Sequence, residues 1–319
     1  MNELTTSKRF SPELVQIDSR YEGQRIDNFL TTHLKGVPRS FIYRVLRRGE
    51  VRVNKSRIKP GYRLREGDVV RVPPLRRAVT EGAGPSPGGK SIELLQHSIL
   101  YEDEGVLILN KPAGLAVHGG SGISFGVIEI LRAARPQAVA LELAHRLDRD
   151  TSGCLIITKK RSSLRHIHAL LREDGMEKRY VALLKGEWHG GERRVSAPLR
   201  KNVLQSGERV VRVAEDGKPS QTWFRPLRCW PGASLVEAIP LTGRTHQIRV
   251  HAAYLKQPIA GDDKYGDAAF NRAMQEKGLN RLFLHAAGLS FMSVSGRRIE
   301  TNALLDPVLQ QVLDTLDGK

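Results

Sequence analysis

The first quarter of the chain combines hydrophobic positions with two different periods. Apolar residues recur at three- and four-residue steps in two stretches, which predicts two helices, and short β-branched runs after them predict strands. Pro38 suits the first turn of the second helix, and Gly49 ends it. The predicted elements are helices over 25–34 and 38–48 and strands over 51–53 and 69–72. They define a compact module over 18–80, and we expect the weakly periodic residues 1–17 to form a flexible tail.

A run rich in glycine, proline and serine follows this module. Its apolar content is too low for it to pack, so we expect a flexible linker over 81–92. Beyond the linker, the apolar runs predict many strands and few helices. We expect strands at 106–109, 154–158, 178–185, 209–213, 221–227, 235–240, 282–285 and 289–291, and helices at 125–131, 163–171, 245–255 and from 307 onwards. This order predicts an α+β fold over 93–319 with a mixed, mostly antiparallel sheet.

The charge of the chain indicates a polyanionic partner, because the formal net charge is +17 and the isoelectric point is near 10.2. Residues 20–77 alone contain 16 lysines and arginines against 5 aspartates and glutamates. A generally basic surface would spread its charge evenly, whereas a concentrated excess is typical of a nucleic-acid-binding module. The candidate RNA-binding residues lie on the second helix and in the strand and turn after it: Arg39, Arg44, Arg47, Arg48, Arg52 and Lys55.

Composition argues against several other classes of protein. The chain is 40% hydrophobic, enough for a sizeable core, yet no apolar run approaches the roughly 20 residues of a membrane span. The first residues lack the apolar segment of a signal peptide. Cys154 and Cys229 show no CxxC spacing, which argues against a disulfide framework and a zinc site and fits a reducing compartment. We therefore expect a cytoplasmic protein with no membrane partner and no bound metal.

The densest cluster of charge outside the basic module is at residues 145–153. Five ionisable side chains fall within the six residues from His145 to Asp150, directly before an apolar run that predicts a buried strand. Charges this close to a core strand are costly to bury, which predicts a cleft that uses a carboxylate for chemistry. Arginines on either side of Asp148 favour its ionised form, and an ionised carboxylate suits a nucleophile or a general base. On the motif alone, a structural network of aspartates and arginines is equally open.

Residues 148–151 also match the DxDxT signature of aspartyl-phosphate phosphatases. That signature requires a hydrophobic strand immediately before it and Mg²⁺ to neutralise the phosphate. Here the preceding residues 144–147 are too polar for such a strand, and the apolar run comes afterwards. Arg146 and Arg149 would also oppose a metal cation, so the phosphatase interpretation is disfavoured.

Two later motifs bear on the chemistry. Residues 241–251 place Arg249 and His246 close together on a predicted helix, and residues 177–180 place an aromatic ring among cations at the start of a strand. Aromatic rings flanked by cations are how proteins stack on unpaired bases, although Tyr180 taken alone fits a core or surface tyrosine better.

Together these motifs resemble the RluA-type pseudouridine synthases, over about residues 95–305. The resemblance is carried by residues 110–114, 145–153, 178–180, 243–251 and 284–286. Residues 19–73 resemble the S4 RNA-binding domain. This domain order, together with residues 117–126, resembles the family members that modify large-subunit ribosomal RNA.

The resemblance implies roles for four residues. Asp148 corresponds to the catalytic carboxylate, and Tyr180 to the ring that stacks on the target uracil and assists proton transfer at C5. Arg249 corresponds to the basic residue that pairs with the catalytic aspartate, and Arg146 to the arginine that helps fill the space left by a flipped nucleotide. Because the isomerisation involves no net oxidation or reduction and no phosphate transfer, we expect no cofactor and no metal.

The resemblance also implies the partner. We expect site-specific isomerisation of uridine in 23S-type ribosomal RNA or a large-subunit precursor, by a monomeric protein. Attack at C1′, addition at C6 and abstraction of the C2′ proton all remain open as the route. The alternative from another class is a non-catalytic RNA-binding or ribosome-assembly protein with the same fold. A pure RNA binder has no need of a carboxylate facing an anionic strand, which favours the enzyme.

Overall fold

The computed structural model describes residues 12–34, 37, 39–74, 87–120, 124–138, 140–203 and 209–319. The chain divides into two compact units, Met1–Gly84 and Pro85–Lys319, and each is described by itself. The division falls inside the predicted linker, whose residues 81–86 lie outside the described part, as do residues 1–11 of the predicted tail. No helix in the described ranges is long and apolar enough to cross a membrane.

The first unit packs two helices against a small antiparallel sheet. Its elements are β1 (Glu13–Gln16), α1 (Ile26–His33), α2 (Arg39–Arg48), β2 (Arg52–Val53), β3 (Ser56–Arg57) and β4 (Val69–Val72). The strands are ordered β1-β4-β2-β3, and all of these pairs are antiparallel. The apolar stripes predicted for the two helices are buried at Phe29, Leu30, Ile42 and Leu46. Their burial leaves Arg44, Arg47 and Arg48 exposed on the outer side of α2.

The predicted tail extends too far. Residues 13–16 form β1, which pairs with β4 along its whole length, and Ile17 directly after it is 1% exposed. The strand was missed because it lies at the edge of the sheet with most of its side chains exposed, so its sequence carries almost no alternation. The predicted linker is also too long, since residues 89–92 belong to the first helix of the second unit.

The second unit is built on one large sheet. Its helices are α3 (Gly89–His97), α4 (Val127–Ala134), α5 (Arg161–Arg172), α6 (Gln247–Tyr254), α7 (Ala268–Gln275) and α8 (Pro307–Leu316). Its strands are β5 (Ile99–Glu102), β6 (Val106–Lys111), β7 (Glu142–Leu143), β8 (Ser152–Thr158), β9 (Met176–Lys185), β10 (Arg193–Ser196), β11 (Leu199–Val203), β12 (Arg209–Val213), β13 (Gln221–Trp230), β14 (Ala233–Pro240), β15 (Leu284–Met292) and β16 (Arg298–Asn302). The predicted α+β class is confirmed.

The sheet is ordered β10-β13-β14-β9-β15-β8-β6-β5, with β16 paired to β15, β7 paired to β8, and β11–β12 as a separate hairpin. Of the described strand pairs only β15–β8 is parallel, which confirms a mixed, mostly antiparallel sheet. Gly153 makes that parallel contact possible. Its φ is +105°, and a Cβ there would lie 2.3 Å from the carbonyl oxygen of Ala286.

Two hydrophobic clusters lie on either side of this junction. One gathers apolar side chains from β6, β8, α4 and α5, and the other gathers them from β9, β14, α6, α7 and α8. Tyr180 on β9 packs against both clusters, so it stands where the two halves of the unit meet.

An ion-pair network ties the outer edge of the first half together. Glu102, at the end of β5, accepts hydrogen bonds from Arg135 Nη2 at 2.9 Å and from Lys159 Nζ at 2.7 Å. The hydrogen bonds from Arg135 lower the pKa of Glu102 to about 2, and Lys159 adds to this shift.

Candidate active site

Asp148 lies on the loop between β7 and β8, and a buried lysine fixes that loop by hydrogen bonding to its backbone. Lys111, at the end of β6, is 0% exposed, and its Nζ donates to the carbonyl oxygens of Arg149 at 2.9 Å, Pro112 at 2.7 Å and Leu115 at 2.8 Å. Burial lowers the pKa of Lys111 to about 7, while three carbonyl acceptors favour the ammonium form, which alone offers three protons. Sequence reasoning gave Lys111 no role, although this lysine lies at the end of an apolar strand and within the motif at 110–114.

A second buried network supports the other end of the loop. Arg281 Nη2 donates to Ser152 Oγ at 2.8 Å, and its Nη1 contacts the Asp306 carboxylate. Ser152 Oγ lies 2.8 Å from His285 Nδ1, and His285 Nε2 lies 3.1 Å from the carbonyl oxygen of Ala303. Because a carbonyl only accepts, the proton of His285 is on Nε2, and Ser152 donates to Nδ1. Burial lowers the pKa of His285, which keeps the ring neutral.

Arg249 on α6 lies between two carboxylates. Its Nη1 is 3.4 Å from Asp148 Oδ2, whereas Nε and Nη2 each donate to an oxygen of Asp262 at 2.7 Å. Asp262 also accepts from the backbone N–H groups of Lys264 and Tyr265, both at 2.9 Å. The expected contact between Arg249 and Asp148 is present, but the tighter, bidentate partner is Asp262, which sequence reasoning missed. No motif pointed to Asp262, because its role depends on burial.

Burial and pairing oppose each other in this ion pair. Burial lowers the pKa of Arg249, but the hydrogen bonds and charge of Asp262 outweigh it and raise the pKa overall. Burial likewise raises the pKa of Asp262, and the hydrogen bonds from Arg249 more than reverse this. Both groups are therefore ionised, and the guanidinium is a fixed positive charge beside Asp148.

His246 faces Asp148 from the residue before α6. Its Nε2 lies 3.8 Å from Asp148 Oδ2, and its Nδ1 lies 2.8 Å from the hydroxyl of Tyr265. That hydroxyl accepts from the backbone N–H of Val211 at 2.9 Å, which leaves its own proton for His246 Nδ1. In this arrangement the proton of the ring is on Nε2 and points toward Asp148. Burial lowers the pKa of His246, which favours this neutral form.

The backbone at His246 is left-handed, with φ +53°, which is uncommon for a residue other than glycine. As a result α6 begins at Gln247, two residues after the predicted start, and neither Thr242 nor Thr245 is its N-cap residue. Thr242 instead donates to the side chain of Gln247 at 2.7 Å. Backbone strain of this kind clusters at functional sites.

Tyr180, Asp148 and Arg249 line one cavity of about 380 Å³. They come from β9, from the loop before β8 and from α6, so the three residues predicted to converge do share a cleft. Leu147, Ile248 and other apolar side chains complete its walls. Burial raises the pKa of Tyr180, and the nearby charge of Asp148 adds to this, so the phenol stays protonated. The cleft combines an aromatic surface, a carboxylate and a guanidinium.

The remaining charges of the 145–153 motif have different surroundings. His145 Nε2 accepts from the backbone N–H of Ile156 at 3.0 Å, and burial lowers its pKa to about 4, so it is a neutral, structural residue. Arg149 pairs with Asp150 at 3.0 Å on the surface. Arg146 is exposed and lines both the active-site cavity and a neighbouring one.

The phosphatase interpretation lacks its structural requirement. Among the described residues, the only strand shortly before Asp148 is the two-residue β7, and the fully buried strand β8 comes after the motif. In the described ranges, no group of three histidine, cysteine or carboxylate side chains is arranged to hold a metal ion.

The predicted RNA-binding residues lie in the first unit. Arg44, Arg47 and Arg48 line a groove of about 630 Å³ on α2, together with Ser40 and Phe41. The guanidinium of Arg44 lies 4.5 Å from the centre of the Phe41 ring, which leaves a cation and an aromatic face together at the surface.

The other predicted RNA-binding residues are not part of this groove. Arg52 and Lys55 are exposed on β2 and in the turn after it, and the side chain of Arg39 lies outside the described part of the chain.

Known families match both units. The profile of the RNA pseudouridylate synthase family matches residues 105–254, and the profile of the S4 domain matches residues 24–70. The chain is 56% identical over 309 residues to the Ribosomal large subunit pseudouridine synthase C of Escherichia coli (strain K12), covering 96% of this chain and 97% of the relative. The protein of the same name from Haemophilus influenzae (strain ATCC 51907 / DSM 11121 / KW20 / Rd) is 54% identical over 307 residues, covering 96% of this chain and 95% of the relative.

Two solved human structures are similar to this chain in fold. RNA Pseudouridylate Synthase Domain Containing 4 superposes with a TM-score of 0.60 at 24% identity, covering 72% of this chain and 96% of that one. RNA Pseudouridylate Synthase Domain Containing 1 superposes with a TM-score of 0.58 at 25% identity, covering 74% and 98%. The resemblances predicted from the sequence motifs are confirmed.

Proposed function

Because this chain belongs to the RNA pseudouridylate synthase family, we propose that it isomerises specific uridines of large-subunit ribosomal RNA, with Asp148 as the catalytic carboxylate. The observation that carries the proposal is the convergence of Asp148, Tyr180 and Arg249 on one cavity. The ribosomal substrate is supported by the names of the relatives and by the S4 domain match.

The isomerisation proceeds in several steps inside the cleft. The N1–C1′ bond breaks, the uracil turns, and C5 bonds to C1′. The proton on C5 is then lost to solvent, and N1 gains a proton from solvent, so that the product is an isomer of the substrate. Asp148, which lies beside Arg249 and His246, serves as the nucleophile or base in each of the three possible routes. The detached uracil is anionic, and the fixed charge of Arg249 stabilises it.

The target uridine must also leave its stack, at a cost of a few kcal/mol. The Tyr180 ring replaces the lost stacking from the wall of the cavity, and the exposed Arg146 at its edge fills the space left in the RNA. Tyr180 stays protonated in the resting enzyme, so its hydroxyl is a hydrogen-bond donor there.

The first unit supplies affinity in this proposal. The groove lined by Arg44, Arg47 and Arg48 binds phosphates. Arg39 and the exposed Arg52 and Lys55 make further phosphate contacts in this proposal. The protein acts as a monomer on ribosomal RNA or a large-subunit precursor in the cytoplasm, where ribosomes assemble.

The test is tritium release from C5-labelled uridine in ribosomal RNA. Asp148→Asn should abolish release while leaving RNA affinity within about twofold, because the amide keeps the shape of the side chain and removes its nucleophilic charge. Asp174→Asn is the matched control, since it makes the same change at an exposed turn outside the cavity and should behave as wild type. Substantial release by the Asp148 variant, or no release by the wild type, would refute the assignment, and the latter result favours a pure RNA binder.

A further inference from the structure

A second cavity, of about 690 Å³, adjoins the active site. It shares four residues with the active-site cavity, namely Arg146, Asp148, His246 and Arg249, but Tyr180 is not among its lining residues. Its other walls come from the loop after β6, from α7 and from the segment leading into β15. Its volume falls in the range of small-molecule binding pockets, about 300–1,000 Å³.

The lining is polar and carries two kinds of side chain that match a nucleotide. The cations are Arg149, Lys264 and Arg281, and the carboxamides are Asn271, Gln275 and Asn280. Cations recognise phosphate, and carboxamides recognise the edges of bases because each offers a donor and an acceptor. Asp150 and Asp263 also line the cavity, so its charge is mixed. A nucleotide with both a phosphate and a base therefore matches this lining better than a simple anion does.

The three carboxamides differ in how they are held. Asn271 is committed to the protein, since its Oδ1 accepts from the backbone N–H of Gly261 at 2.9 Å and its Nδ2 donates to the carbonyl oxygen of Asp262 at 3.2 Å. Gln275 and Asn280 are exposed, and neither side chain forms a hydrogen bond within the described part of the protein. These two amides are therefore the groups available to a ligand.

We propose that this cavity binds the nucleotide that adjoins the target uridine in the RNA strand, with Gln275 and Asn280 contacting the edge of its base. The inference rests on the proposed function. Because the two cavities meet at Asp148, a strand that places its uridine in the first cavity carries the covalently attached neighbour past the second. The side of the cavity formed by the half-buried Lys264 and the exposed Arg149 then faces the phosphate between the two nucleotides.

The test pairs a double variant with altered RNA. Gln275→Ala/Asn280→Ala and the wild type are compared on a transcript fragment containing a modified uridine, with each of the four bases, and then an abasic residue, at each adjoining position. The wild type should lose roughly threefold to tenfold in kcat/KM with the abasic residue at one of the two positions, the loss expected for one or two hydrogen bonds. The double variant should already show that loss and should be insensitive to the base at the same position.

Arg272→Ala is the matched control, because Arg272 is exposed on the same helix as Gln275 but does not line the cavity. It should keep the base preference of the wild type. Additive losses from the protein and RNA changes, or a double variant with the wild-type preference, would overturn the inference while the wild type remains active. A wild type with no isomerase activity would instead refute the proposed function.

Discussion

Replacing Asp262 by asparagine should lower both the stability of the second unit and its isomerase activity, although Asp262 is not one of the residues assigned to the reaction itself. The carboxylate of Asp262 is 1% exposed and accepts four hydrogen bonds, two from Arg249 and two from backbone N–H groups. Asparagine keeps the shape of the side chain but removes its charge. Its amide NH2 group also cannot accept the hydrogen bonds that one of the two carboxylate oxygens accepts in the wild type. Arg249, whose side chain is 11% exposed, is then left with Asp148 as its one remaining carboxylate partner among the contacts described for it.

The magnitude follows from the burial of both partners. Removing one member of a buried ion pair costs about 3–5 kcal/mol, since the remaining charge stays desolvated. For a domain of 150–250 residues, 1 kcal/mol shifts Tm by about 2–4 °C, so the transition of the second unit should fall by roughly 6–20 °C. Activity should fall as well, because Arg249 now pairs with Asp148 and withdraws the carboxylate from the substrate.

Differential scanning calorimetry of the full chain measures the first effect, and tritium release below the new Tm measures the second. The double variant Asp262→Asn/Arg249→Met removes both charges, and it should be less destabilised than the sum of the two single variants. A Tm for Asp262→Asn within about 2 °C of the wild type would refute the reasoning. So would additivity of the two substitutions within about 0.5 kcal/mol, because residues in direct contact are expected to couple.

Three further predictions concern separate parts of the molecule. Glu102→Gln should lower the free energy of unfolding by about 1–2 kcal/mol at pH 7, less than the full pKa shift implies because solvent screens the ion pairs. Since the pKa of Glu102 is lowered from 4.5 to about 2, the difference in stability from the wild type should disappear as pH falls through that window. His246→Asn should keep the left-handed backbone and the fold but slow isomerisation roughly tenfold, because the shorter side chain withdraws a donor from Asp148. Arg44→Ala/Arg47→Ala should weaken RNA binding and flatten its salt dependence by up to about 0.7 per lost phosphate contact with a single strand, without changing the rate at saturating RNA.

Each of these three predictions has its own control variant or refuting outcome. A gap between Glu102→Gln and the wild type that stays constant from pH 7 to pH 2 would contradict the ion-pair account. Tyr265→Phe should reproduce part of the His246→Asn defect, since it removes the hydroxyl that fixes the ring; a normal rate in both variants would contradict the orienting role. Arg297→Ala/Arg298→Ala removes the same charge from exposed positions of the second unit, and an equal loss of affinity there would show that only net charge matters.

Elements with a continuous apolar run or a strong apolar stripe were the most predictable from sequence. The strand β8 and the helix α5 carry long or strongly periodic apolar patterns, and the structure places them close to their predicted positions. The strand β1 was missed because it is exposed at a sheet edge and gains its stability from a partner more than fifty residues away in sequence.

The candidate site shows the same division. Asp148, Tyr180 and Arg249 were predicted together through motifs that resemble a family, not through any spacing that places them in contact. Lys111 and Asp262 were missed because a lysine and an aspartate carry no signal of burial in the sequence. Their roles come from three carbonyls in one case and a guanidinium with two backbone amides in the other, all of which are assembled by the fold.

The position of Tyr180 between two hydrophobic clusters has a consequence for how the enzyme is made. Asp148 and Arg249 are 101 residues apart, and Arg281 reaches back 129 residues to Ser152, so the site closes only through long-range contacts between the two halves of the sheet. Contacts of such high sequence separation form late in folding. The first unit has its own core and needs none of them, so during synthesis it can fold before the catalytic loop is in place. In refolding experiments RNA affinity should therefore return before isomerase activity, and activity marks the moment at which both halves have joined.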